Sequence, residues 1–215
     1  MKRLTLCIPP IAAALILVAV GCFSISGDAH NERGVLFFEQ GSLEKAIEEF
    51  DHAIALGSNK PDTYYFTGLA QSKQKAYGEA IPFLQKAVSM RSHKADYHFD
   101  LGNAFRQVGS FDEALQEYRQ TLAIKPRHPQ AQNNIGIIFW NLKAYERAEV
   151  EFNKALDIQQ NLPEIHQNLA TLHLKNNRYA NAIPHLDQVL KLQPGNTTAQ
   201  KLLDHALGQM KKGPS

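Results

Sequence analysis

The 215-residue chain is 44% hydrophobic and 20% charged, with a formal net charge of +2. That balance excludes a disordered polymer and a multi-span membrane protein. Setting aside Lys2 and Arg3, 21 basic residues face 21 acidic ones, so no basic stripe is available for nucleic acid. The only cysteines are Cys7 and Cys22, which rules out a disulfide framework or a cysteine-built zinc site in the body of the chain.

Residues 1–21 have the layout of a secretory signal peptide. Lys2 and Arg3 form the positive start, Ile11 to Val20 is an unbroken apolar run, and Ala19 and Gly21 are small. An uncleaved anchor is the alternative. The stretch from Leu4 to Val20 is slightly short for a span, however, and Pro9 and Pro10 interrupt it. The segment Val18-Ala19-Val20-Gly21-Cys22 resembles the lipobox of bacterial lipoproteins, in which cleavage falls before the cysteine and the cysteine is acylated. Ala19 stands where the lipobox usually has Leu. Ala19-Val20-Gly21 also suits an ordinary signal peptidase, which would leave a soluble product. The resemblance implies lipidation at Cys22 and attachment to a membrane, with residues 22–27 as a tether reaching at most ~20 Å.

From residue 28 onward the chain repeats. Ala46, Ala80, Ala114, Ala148 and Ala182 are 34 residues apart, and Gly34, Gly68, Gly102, Gly136 and Ala170 keep the same spacing. Five repeats therefore begin near 27, 61, 95, 129 and 163 without an insertion, at the period of helix–turn–helix arrays. Numbering each repeat from its start, position 8 is always small and position 20 is always Ala. Position 24 carries Phe50, Leu84, Tyr118, Phe152 and Leu186, position 27 mostly Ala, and Pro126 and Pro194 stand at position 32. This pattern resembles the tetratricopeptide (TPR) repeat. It implies an all-α, right-handed α-α superhelix of five helical hairpins spanning 28–196.

The residues give the same architecture independently. Small side chains at positions 8 and 20 let two helices approach, and bulky ones at 7, 11 and 24 fill the space between them. Tyr77, Phe111, Tyr145 and Tyr179, with Leu43 in the first repeat, anchor the second helix at position 17. Gly41 and Gly109 suit a left-handed helix stop. One hairpin cannot bury its own apolar face, so neighbours must stack on it. The first repeat, with Arg33 where Leu is expected, reads as the N-terminal cap. Residues 197–211 read as a polar C-terminal capping helix with Leu202, Leu203, Ala206 and Leu207 on its inner stripe, and 212–215 as a frayed tail.

The TPR resemblance places ligand contacts on the first helices, at positions 2, 5, 6, 9, 12 and 13. Asn103, Asn134 and Asn168 fall there, and an amide can serve both main-chain N–H and C=O without reading sequence. Phe38, Tyr65, Phe99 and Trp140 are aromatic groove candidates, although such rings also pack between repeats. Arg106 could meet a carboxylate. The chaperone-tail clamp found in some TPR proteins is not expected. Asn103 and Asn134 match it, but Phe99, Glu164 and Asn168 occupy the places of its cations.

Nine histidines occur without a metal or catalytic motif. His98 and His166, and less regularly His30, occupy an aromatic position, and His166 and His173 lie too far apart on one helix to share a metal. No catalytic residue, cofactor or metal is expected. The reading is an exported scaffold or assembly factor that binds a protein or extended peptide in its concave groove. It is held by lipid at the periplasmic face of the outer membrane if the cell is Gram-negative, and resembles the pilotin-like lipoproteins of type IV pili in architecture only. The alternatives are a soluble or inner-membrane-anchored adaptor and a regulatory subunit of an envelope enzyme.

Overall fold

A computed structural model describes residues 26–211; the signal-peptide, Cys22 and tail expectations lie outside them. The described chain is all-helical, a right-handed superhelix of five antiparallel hairpins and one further helix. The hairpins are α1 (Gly27–Glu39) with α2 (Leu43–Ala55), α3 (Pro61–Lys73) with α4 (Tyr77–Met90), α5 (Ala95–Gln107) with α6 (Phe111–Ile124), α7 (Pro129–Asn141) with α8 (Tyr145–Ile158), and α9 (Pro163–Lys175) with α10 (Tyr179–Leu192). The last helix, α11 (Thr197–Lys211), packs on α10 and lays Ala199, Leu203 and Ala206 against it. Among the described residues, no helix is long and apolar enough to cross a membrane.

Each hairpin closes on one contact. The position-24 side chain lies directly over the position-8 residue. A Cβ added to Gly34, Gly68, Gly102 or Gly136 would come within 2.5–2.9 Å of Phe50, Leu84, Tyr118 or Phe152 respectively. In the fifth repeat Ala170 faces the thinner Leu186, and both are fully buried. The position-20 alanines are also completely buried, as are Ala53, Ala87, Thr121, Ala155 and Val189 at position 27. Burying a side chain the size of Phe152 stabilises the fold by roughly 2–3 kcal/mol. Arg33, the outlier at position 7, pairs with Glu49 at 2.6 Å instead of entering the core.

The left-handed stop expected at Gly41 and Gly109 occurs in all five hairpins. Position 15 has positive φ throughout: Gly41 (76°), Lys75 (66°), Gly109 (82°), Lys143 (60°) and Asn177 (55°). In each case the next residue's N–H bonds back across the turn, as Ser42 does to the Phe37 carbonyl (2.9 Å) and Ala144 to Phe139 (2.9 Å). This 6→1 bond satisfies a carbonyl that the helix end leaves open. Lysine carries a Cβ penalty there that glycine does not. Helix starts are equally local. Pro61, Pro129 and Pro163 begin α3, α7 and α9. The Ser26 hydroxyl, His128 Nδ1 and Asn196 Oδ1 accept N–H groups of the first turns of α1, α7 and α11.

Two substitutions test this account in opposite directions under chemical denaturation. Lys143→Gly relieves the left-handed backbone and should stabilise the chain by about 0.5–1 kcal/mol. Gly136→Ala drives a methyl into the Phe152 ring and should cost about 1–3 kcal/mol.

Candidate functional site

The first helices α3, α5, α7 and α9 face one groove, which holds a cavity of about 600 Å³. Phe99, Asn103, Arg106, Asn133, Asn134 and Glu164 line it, with Tyr77 and Leu162 at its sides. Next to it a smaller cavity of about 300 Å³ is lined by Trp140, Asn168, Ile137 and Thr171. Six of the eight groove residues expected from the sequence thus fall in two neighbouring hollows.

The asparagines do not stand separately in solvent. Asn168 Nδ2 donates to Asn133 Oδ1 (2.9 Å), and Asn133 Nδ2 approaches Asn134 Oδ1 (3.5 Å). Asn134 Nδ2 donates to Asn103 Oδ1 (2.8 Å), and Asn103 Nδ2 to Asp100 Oδ1 (3.3 Å). The second Asp100 oxygen accepts the Tyr65 hydroxyl (2.6 Å). The Tyr118 hydroxyl, rising from the hairpin core, joins by donating to Asn103 (2.8 Å) and accepting from Asn134 (3.3 Å). A polar spine therefore runs across four consecutive first helices and fixes the amide orientations along the groove. Burial raises Asp100 above the usual carboxylate range, opposed by the bonds from Tyr65 and Asn103. Burial likewise raises Tyr118, with the nearby Arg106 guanidinium acting against it.

The structure redistributes the aromatic candidates. Phe99 lines the main cavity and packs on His128, with ring centroids 4.6 Å apart. Trp140 walls the smaller cavity and meets Tyr145 edge-on. Tyr65 belongs to a joint between repeats instead. It stacks on Tyr97 at 4.3 Å and bonds Asp100, while the Tyr97 hydroxyl returns a bond to Asp62. Phe38 packs on Phe66, with Lys73 over its face, and lines neither cavity. The wide separation between first-helix aromatics in the sequence hid this reciprocal Tyr–Asp exchange. Arg106 reaches the main cavity, and its buried Nε has no protein partner. Asn133 was missed as a spine member although it occupies a groove position beside Asn134.

The histidines at position 4 bond across their own hairpins to position 23. His98 Nδ1 meets Glu117 at 2.6 Å, and this bond leads the influences that raise its pKa. In the last hairpin α10 brings His185 between two residues that one helix alone keeps apart. His185 Nδ1 lies 3.0 Å from His166 Nδ1, and the His185 ring stacks on His173. Glu149 and Arg178 pair at the edge of this cluster. Burial, and then the His166 and His173 rings, push His185 down to about 4.

Stacked hairpins with a shared groove define this molecule as a helical-repeat solenoid. Family models of the tetratricopeptide repeat match residues 34–75, 61–94, 99–163 and 140–206. The chain is a tetratricopeptide-repeat protein. Similar solved structures include MamA, 26% identical with a TM-score of 0.61, over 63% of this chain and 80% of that one. YrrB, described as a TPR protein with an unusual peptide-binding site, is 19% identical with a TM-score of 0.67, over 82% of this chain and 91% of its own. Pseudomonas aeruginosa pilF is 19% identical with a TM-score of 0.72, over 86% of each chain. No match was found among curated protein sequences.

The two histidine environments respond to acid with opposite sign. A lowered pKa means that the unfolded chain takes up protons the fold refuses, so the fifth repeat loses stability as pH falls from about 6.5 toward 4. A raised pKa, as at His98, contributes stability that is full below about 6.5 and lost as pH rises through the folded value. Amide protection, corrected for intrinsic exchange, should therefore fall in α9 and α10 on acidification while α5 and α6 hold theirs. His185→Leu should flatten the response of α9 and α10.

Proposed function

We propose that this tetratricopeptide array is a protein-interaction scaffold that binds an extended peptide segment of its partner along the α5–α7–α9 groove. The observation that carries this reading is the polar spine beside an open hollow. Amides of fixed orientation meet a peptide backbone without needing a particular sequence, because they offer a donor and an acceptor at one site. Phe99 and Trp140 supply apolar anchors on either side, and Arg106 a cation for a partner carboxylate. Glu164 across the same cavity argues against a strongly acidic tail, because like charges would meet. YrrB's peptide-binding site in a similar fold supports the class of ligand. The chemistry is binding, with no catalytic role assigned to any residue.

In this reading the array works as an assembly factor of the bacterial cell envelope, with Cys22 acylated and the array tethered close to a membrane. The Gly21-Cys22 junction supports that part of the proposal. A photo-crosslinking residue at exposed Gln107 or Gln130, both on the rim of the main cavity, should capture the partner in the native cell. The same residue at exposed Gln120, on the second helix of its hairpin, should not. Equal capture at all three positions would defeat the groove assignment. Separately, a fatty-acid analogue should label the wild-type chain and not Cys22→Ala; an unlabelled wild type would remove the lipid anchor while leaving the groove intact.

A further inference from the structure

The first hairpin carries a side-chain set that the repeat pattern does not require. His30 on α1 faces Glu49 on α2, with Nδ1 2.7 Å from Oε2. His52 stands one turn beyond Glu49, and its ring lies 5.1 Å from that of His30. One ligand atom from each of the three residues falls within 4.8 Å of the others. We propose that His30, Glu49 and His52 bind a divalent transition-metal ion of the zinc type, which clips the N-terminal hairpin.

The donor set is two imidazoles and one carboxylate, as in open zinc sites with three protein ligands and a water position. Glu49 and His52 form a Glu-x-x-His pair, which puts both side chains on one helix face, and His30 approaches from the opposing helix. Zinc–ligand bonds of about 2.1 Å in a tetrahedron set donors roughly 3.4 Å apart, so the His30–Glu49 pair need open only slightly to admit the ion. Glu49 is buried and already held, because Arg33 takes Oε1 at 2.6 Å and leaves Oε2 toward His30. A held carboxylate is how outer partners orient a metal ligand. The guanidinium lowers the attraction for a cation, and Asp51 beside His52 partly offsets it. His52 is exposed, which opens the site to ions from solution.

The other hairpins serve as internal controls. His98 and Glu117 reproduce the His30–Glu49 pair at 2.6 Å, but Gln120 stands at the place of His52. In the fourth hairpin Gln132 bonds Glu151, and Lys154, at that same place, pairs with Glu151 at 2.9 Å. A two-residue bridge thus recurs in the third, fourth and fifth hairpins, whereas the second has Tyr64 and Phe83 at those places, and a ligand at the place of His52 occurs in the first hairpin alone. A metal crosslink between α1 and α2 would brace the first described hairpin, which among the described residues is covered by a neighbouring hairpin on one side.

The test is zinc titration of the metal-stripped full chain at about pH 7.5, where imidazoles are free to ligate. One equivalent should bind, amide exchange in α1 and α2 should slow, and His52→Gln should abolish both effects. Because His52 is exposed, that variant should keep its helical circular dichroism. Cobalt in place of zinc should show visible ligand-field absorption without a thiolate charge-transfer band. Absence of uptake overturns the proposal. So does uptake that survives His52→Gln, which would move the ion elsewhere, or a thiolate band that disappears in Cys22→Ala.

Discussion

The whole array depends on how closely two helices in one hairpin can approach. Position 8 has no side chain beyond Cβ, and the position-24 group sits in the space thereby released. The pairing is conjugate. Rings and Leu84 lie on glycine, and the one alanine, Ala170, is matched by the branched but thinner Leu186. Interiors at crystal-like density leave no slack for a methyl group in such a contact. Once this spacing is set, the position-20 alanine and position-27 residue close the remaining gap, and the apolar surface left over can only be covered by the next hairpin. Curvature, and hence the groove, follows from repeating the same contact five times.

Stacking hairpins creates a second problem on the concave side. Polar groups drawn from several helices are brought together there, and each one half-removed from water needs a partner. The chain solves this by letting neighbouring first helices satisfy one another, through the Tyr65–Asp100 and Tyr97–Asp62 exchange at one joint and the asparagine series at the next two. The same side chains therefore fasten repeats together and face the groove. The lining of the groove and the cohesion between repeats are supplied by one set of amides.

This dual use explains what the sequence did and did not disclose. The period of 34, the small positions and the ring at position 17 lie in one register and dictate the hairpin and its stacking. Asn103, Asn134 and Asn168 were visible as recurring polar groups at groove positions. Their bonding was not visible, because Asn133 contributes from a different position and the donor–acceptor sequence crosses 30 or more residues at each step between helices. Tyr65 had the residue type of a groove anchor but the neighbours of a joint. The left-handed stops at Lys75 and Lys143 were masked by residue type, since the 6→1 bonds and flanking helices impose a backbone that lysine alone would avoid. The histidine cluster around His185 escaped a single-helix argument because the third ring comes from the antiparallel partner.

The amide series also has a sense of direction. Every donated bond from Asn168 through Asn133, Asn134 and Asn103 points toward Asp100, both of whose carboxyl oxygens act as acceptors. Reversing any one amide would set oxygen against oxygen or N–H against N–H at a neighbour, so the acceptor at the end holds the row in one orientation. A main chain lying along this wall meets a row that differs when read from either end. The concave wall thereby carries a chemical polarity along the array, and its two ends are not equivalent.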